Sequence, residues 1–237
     1  MTQKKPRWDG KSRVSNDTYR KLFNDINWDK FTSMSFEINK YQFLPKAISS
    51  ELANFVYQYF LLKRKVANKL IELKYIKPDA TGATEWGFYD DPQALNSYSH
   101  YADIAMETLL EKVKPTIEKS IGLNLVPTYS YARIYKRGDT LIKHKDRSSC
   151  EISSTMFLGG DEWDMYVEGK PFKFEVGDML IYKGCELEHW RNKFKGNHCC
   201  QVFLHYNSSN KNKYDGRESL GYPFFMKKNR KEENEKK

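Results

Sequence analysis

His144 and Asp146 stand two residues apart in the segment Tyr135-Lys-Arg-Gly-Asp-Thr-Leu-Ile-Lys-His-Lys-Asp. On a β-strand, residues i and i+2 project from one face. A neutral imidazole nitrogen and a carboxylate oxygen are both good ligands for Fe(II), Mn(II) or Zn(II). A third donor, His189, lies 43 residues further on, just after the strand-like stretch Phe174-Glu-Val-Gly-Asp-Met-Leu-Ile-Tyr182. A turn at Gly177-Asp178 lets that stretch run back beside the first. Two histidines and one carboxylate on one face of a metal ion leave three coordination positions open for other ligands.

The elements around these residues must hold them in place. From Gly122 onward the chain reads as short strands at Tyr129–Tyr135, Thr140–Lys145, Ile152–Leu158, Met165–Val167, Phe172–Phe174, Met179–Tyr182 and Cys199–Tyr206. Glycine- and Asp-rich turns separate them. Such close spacing predicts a sandwich or barrel. Before Gly122 the texture is different. Residues 31–44 read as a leading strand with Phe36, Ile38 and Phe43 buried. Ser49 or Ser50 can cap a helix to about Leu73, with Leu52, Val56, Tyr59 or Phe60, Val66 and Leu70 as its stripe. A second helix is predicted from about Pro92 or Ser97 to Ser120, carrying His100 on its surface and ending at Gly122. The fold class is therefore α+β, with helices buttressing a β core. The expected organisation is a basic polar arm over 1–30, a strand and helices over 31–125, the core over 126–210, and a basic extension over 211–237. Lys77–Pro92, with Trp86, Phe88 and Tyr89, is a candidate lid.

The stretch from about Tyr129 to Tyr206 resembles the Fe(II)/2-oxoglutarate-dependent dioxygenase superfamily, nearest its prolyl-4-hydroxylase-like branch. The resemblance rests on Tyr135 nine residues before His144, Gly138 and Leu141 in the approach, and His144-x-Asp146. The Gly177-Asp strand before His189, then Gly196 and Gln201-Val-Phe-Leu-His-Tyr206, also match. Upstream, Phe43-Leu-Pro-Lys and Ser49-Ser-Glu-Leu resemble the strand and helix that precede the barrel in that branch. The resemblance implies a double-stranded β-helix (jelly-roll) core with N-terminal buttressing helices. It implies Fe(II) on His144, Asp146 and His189, with 2-oxoglutarate and O2 as co-substrates and ascorbate as an in-vitro reductant. The implied reaction hydroxylates a peptidyl residue or small molecule and yields succinate and CO2, with Tyr135 bonding a co-substrate carboxylate. Members of this family usually carry Arg or Lys nine to twelve residues after the distal histidine to grip the far carboxylate. Here those positions hold His198, Cys199, Cys200 and Gln201. His198 fits the register, Arg191 offers permanent charge and is narrowly preferred, and Arg133 is a third candidate.

The chain has 237 residues, 40 basic against 31 acidic, and a formal charge of +9. Apolar residues make up 39% and aromatics 15%, which excludes disorder throughout. No apolar run reaches membrane-spanning length and the first residues carry no apolar signal core, so a cytoplasmic protein is expected. Four cysteines without a paired spacing fit reduced thiols. Adjacent Cys199 and Cys200 should face opposite ways on a strand. Residues 1–30 hold 8 basic and 4 acidic residues, and residues 211–237 hold 9 and 5, so the positive charge sits at the ends. Solubilising ends are the simpler reading, and a nucleic-acid partner the less favoured one. The alternatives kept open are a cupin-like metal-dependent non-redox enzyme and a basic nucleic-acid-binding module. His205 is expected to be a packed strand residue, Trp163 and Trp190 barrel wall or rim, and Arg147 and Glu151 an ion pair.

Overall fold

The structure, a computed structural model, describes residues 35–79 and 85–226. The expected arm over 1–30, residues 31–34 of the leading strand, residues 80–84 of the candidate lid and the extension from 227 lie outside these residues. The elements in chain order are β1 (Tyr41–Leu44), α1 (Ser50–Glu72), β2 (Tyr98–Tyr101), α2 (Ile104–Ile121), β3 (Val126–Lys136), β4 (Leu141–His144), β5 (Ile152–Gly160), β6 (Met165–Val167), β7 (Lys170–Phe172), β8 (Met179–Tyr182), β9 (His189–Arg191) and β10 (His198–Asn207). All strand pairs are antiparallel. One sheet runs β1-β8-β5-β10-β3-β2 and the other β4-β9-β6-β7. No helix among the described residues is long and apolar enough to cross a membrane.

Strict alternation on the large sheet separates two cores. Ala132 and Ile134 of β3, Met156 and Leu158 of β5, and Cys200, Val202 and Leu204 of β10 pack with Val56 and Phe60 of α1 and Met106, Leu110 and Ile117 of α2. Tyr135, Phe157, Leu180, Tyr182 and Cys199 point the other way, into a second core with Trp163, Met165, Val167 and Phe172. Cys199 and Cys200 thus face opposite cores, and all four cysteines are free.

Helix α1 starts where a serine cap permits: Ser49 Oγ accepts the Leu52 N–H at 3.2 Å. Its buried stripe is Ala53, Val56, Phe60 and Ala67, and Val66 is exposed instead. Gly122, at φ 72°, closes α2 in the left-handed region that glycine tolerates. The start of α2 differs from expectation. The chain over 98–101 forms strand β2, pairing with β3, and α2 begins only at Ile104. Asp103 ends the strand and caps the helix, accepting from the N–H groups of Ala105 and Met106. His100 is consequently buried on β2, bonded to the carbonyls of Tyr101 and Glu85. Residues 35–39 are helical rather than extended, which buries Phe36 but exposes Ile38, and only Tyr41–Leu44 is strand. The strand expected at Phe172–Phe174 runs two residues earlier, at Lys170–Phe172.

Asp103 also pairs with Lys63 and accepts the Tyr59 hydroxyl at 2.8 Å. Asp103→Ala removes a cap worth about 1 kcal/mol and a buried ion-pair partner. Chemical denaturation should show a larger loss for Asp103→Ala than for Asp103→Asn, which keeps the cap. Equal losses would mean that the cap contributes nothing.

Candidate active site

Strand β9 is only three residues long, and its pairing with β4 sets His189 directly opposite His144. The two imidazole rings lie 4.3 Å apart between centroids. Asp146 lies just past the end of β4, where its N–H donates to Gly184 O at 2.8 Å. Asp146 Oδ1 is 3.6 Å from His144 Nε2 and 3.4 Å from His189 Nε2. His144 Nδ1 bonds the Ile142 carbonyl at 2.7 Å and His189 Nδ1 the Leu187 carbonyl at 3.1 Å. A carbonyl only accepts, so each Nδ1 carries the proton and each Nε2 keeps its lone pair for a metal. The three donor atoms lie within 4.8 Å of one another. Two imidazole nitrogens and one carboxylate oxygen suit Fe(II), and the residues fit such an ion.

Burial pushes the Asp146 pKa up, but the neighbouring imidazoles of His144 and His189 outweigh it and hold the carboxyl well below the usual range. The Asp146 carboxylate beside it raises the His144 pKa. The second Asp146 oxygen accepts the Ser153 hydroxyl at 2.6 Å. Gly184 packs against this group so closely that a Cβ there would sit 2.5 Å from both Cys150 O and Ser153 Oγ, and closer still to Asp146 Oδ2. Gly184→Ala must push Asp146 aside. Metal titration should show affinity falling by about 10–100-fold, the usual effect of disturbing a ligand's support. An unchanged titration would show that the loop gives way freely.

The three residues form one wall of a cavity of about 340 Å³. Tyr129, Tyr131, Arg133 and Tyr135 of β3 and Phe203 and His205 of β10 form much of the rest. Arg133 is held by Asp91 at 2.6 Å, by Ser99 Oγ and by the Tyr135 hydroxyl. Asp91, from the stretch anticipated as a lid, therefore lines the cavity as a counter-ion. Arg147 makes a bidentate pair with Asp215 at 2.8 and 3.0 Å, not with Glu151, which instead takes Ser208. His205 is buried, and burial pushes its pKa down to about 4. Trp163 is barrel wall, edge-on to Tyr135, whereas Trp190 stacks on Tyr166 in the smaller sheet.

The candidates for the carboxylate grip separate cleanly. His198 is hydrogen-bonded to the Tyr57 hydroxyl of α1, on the helix-facing side of β10, and is not brought to the cavity. Arg191 points between the sheets and is 1% exposed. Its guanidinium lies over Trp163 and Phe174, donates to the Trp163 carbonyl, and reaches Thr155 Oγ1 at 3.5 Å. No carboxylate among the described residues pairs with it, and its buried Nε has no partner. It sits beyond the residues that line the cavity. Ser153 and Gly184 were not singled out from sequence. A signal for Ser153 is present, since Ser153, Ser154 and Thr155 form a run of hydroxyls in a strand otherwise apolar, and alternation puts Ser153 and Thr155 on one face.

No family model matches the chain, and no curated protein matches it. Solved structures do. A prolyl hydroxylase from Trichoplax adhaerens, in complex with a hypoxia inducible factor peptide fragment, superposes with a TM-score of 0.55 at 14% identity, covering 86% of this chain and 99% of its own. A 2OG-Fe(II) oxygenase family protein from Burkholderia pseudomallei gives 0.53 at 11%, covering 78% and 93%. The fold is that of the Fe(II)/2-oxoglutarate oxygenases. HygX from Streptomyces hygroscopicus, with nickel and 2-oxoglutarate bound, gives 0.52 at 11%, covering 78% and 87%. In this oxygenase fold the cavity between the sheets is walled on one side by His144, Asp146 and His189.

Proposed function

We propose that the chain is an Fe(II)- and 2-oxoglutarate-dependent dioxygenase that hydroxylates a peptidyl residue or a small molecule. The observation that carries this reading is the convergence of His144 Nε2, Asp146 Oδ1 and His189 Nε2 on the wall of a cavity between two facing sheets. Bound Fe(II) would supply O2 activation, with 2-oxoglutarate oxidised to succinate and CO2 as the substrate is hydroxylated. The chain's own residues hold, orient and exclude water. His144 and His189 offer lone pairs because backbone carbonyls hold their other nitrogens. Tyr135 receives a hydrogen bond from Arg133, which leaves its phenolic hydrogen free for a co-substrate carboxylate. Arg191 supplies the far-carboxylate grip from β9 instead of β10. A buried guanidinium without a counter-ion is costly, and a ligand carboxylate relieves that cost. Four free cysteines support a reducing, cytoplasmic setting. Structural neighbours that hold a peptide fragment or 2-oxoglutarate support the substrate classes.

The non-redox, cupin-like reading drew on the lack of a cation nine to twelve residues after His189, and Arg191, on β9 with His189, would answer that lack. The test is succinate formation from 2-oxoglutarate with Fe(II), O2 and ascorbate. No succinate above a metal-free control would overturn the assignment. Within it, Arg191→Gln should weaken 2-oxoglutarate binding by about 100-fold or more, the scale of removing one partner of a buried pair. His198→Gln should bind as wild type does. The reverse order would place the grip on β10 after all.

A further inference from the structure

Behind Asp146 a hydrogen-bond chain runs to β10. Ser153 Oγ lies 2.6 Å from Asp146 Oδ2, 3.2 Å from Cys150 O and 3.0 Å from His205 Nδ1. The serine hydroxyl has one hydrogen. A metal-ligating carboxylate only accepts, and a carbonyl only accepts. The 2.6 Å contact to Asp146 is attractive only if the hydrogen lies in it, because two lone pairs at that distance repel. Had the hydrogen gone to Cys150 O instead, His205 would face the same unprotonated serine oxygen. Either way Nδ1 of His205 must donate, so the proton of the neutral ring is on Nδ1 and the lone pair is on Nε2. Asp146, Cys150 and His205 also stand close enough to suggest an ion cage. The Ser153 hydroxyl bridges the first and last of them.

Nε2 has no partner among the described residues. His205 is 6% exposed, yet this nitrogen is not among the sealed, unsatisfied atoms, and the ring borders the cavity. The Nε2 lone pair therefore opens onto the space beside the metal-binding wall. Two polar groups beside it are already engaged. The Tyr129 hydroxyl contacts Cys150 Sγ, and the Arg133 guanidinium is taken up by Asp91, Ser99 and its neighbouring tyrosines. Aromatic faces flank the histidine, with the Tyr129 ring 4.6 Å away between centroids.

We infer that His205 selects the substrate: its Nε2 accepts a hydrogen bond from a neutral N–H or O–H group that enters the cavity beside Tyr129. This rests on the cavity being an oxygenase site. It selects for amides, N–H heterocycles or alcohols at that point and against carboxylates, whose lone pairs would face the Nε2 lone pair.

The experiment uses the full chain loaded with Zn(II) and 2-oxoglutarate, without turnover. Nitrogen-15 NMR of histidine-labelled protein should show His205 protonated at Nδ1. Indole and benzofuran serve as matched probes that differ in one N–H donor. Indole should bind about five- to tenfold more tightly, the effect of one hydrogen bond, and should shift the His205 Nε2 resonance. In His205→Asn, whose amide can still donate to Ser153 but offers nothing at the Nε2 position, the preference should vanish. In His205→Gln, which places an oxygen near that position, it should return. A ring protonated at Nε2 overturns the inference, as does equal affinity for the two probes, including no measurable binding of either. None of these readouts depends on succinate formation, so failure here and failure of the oxygenase assignment are separable.

Discussion

Asp146→Ala should abolish stoichiometric Fe(II) binding, and His144→Ala and His189→Ala should each weaken it by more than about 100-fold, since loss of outer partners alone costs 10–100-fold. The carboxylate contributes most because it is the one anionic donor of the three, with one oxygen 3.6 and 3.4 Å from the two imidazole nitrogens and the other tied to Ser153. Each substitution shrinks a side chain at the cavity wall without touching the core against the helices. The variants should therefore keep wild-type circular dichroism and cooperative melting. Anaerobic titration with Fe(II), or with Co(II) as a visible stand-in, reads the result. Wild-type-like titrations in all three variants would remove the metal centre from this cavity.

Arg217→Met should cost about 3–5 kcal/mol of stability, the largest loss expected from a single change outside the site. Arg217 and Glu107 form a bidentate pair at 2.7 and 3.2 Å with side-chain exposures of 0% and 2%. The guanidinium also donates to the carbonyls of Thr128 and Tyr222, and Glu107 accepts from the Gly221 and Ser130 N–H groups. The pair thus ties the segment after β10 to α2 and β3. With Arg217 gone, a buried carboxylate is left without its cation, whereas Glu107→Gln/Arg217→Met removes both charges. The double variant should recover part of the loss. For a chain of this size the single change lowers the melting temperature by roughly 6–20 °C. A drop under about 2 °C would show that water reaches the pair.

That arginine marks where reading residues in order runs out. Arg217 belongs to a charged end that reads as a solubilising extension, and its partner lies 110 residues away on a helix. Only packing of that helix against β3 makes the two neighbours. The same holds for Asp91, which reads as a loop carboxylate and becomes the counter-ion of Arg133. Strand β2 is not legible in the sequence because four residues, YSHY, are too few to show a period, and the apolar stripe of α2 begins right after them.

By itself the sequence marked His144, Asp146 and His189 as the candidate ligand set, and it determined most of the strands, the caps at Ser49 and Gly122, and the opposite facing of Cys199 and Cys200. Those features depend on residue type and on spacings within one element, which covalent geometry controls. Only the tertiary structure decided the phase. Period-two alternation says that His198 and Cys199 face opposite ways, but not which of them faces the cavity. Pairing of β10 between β3 and β5 turns Cys199 inward and His198 out toward Tyr57. Pairing of β9 with β4 turns His189 and Arg191 inward together. A one-residue slip would reverse every one of these side chains. Register is set by partners dozens of residues away, so the turning of His198 away from the cavity and of Arg191 inward becomes visible only when the strands are laid side by side.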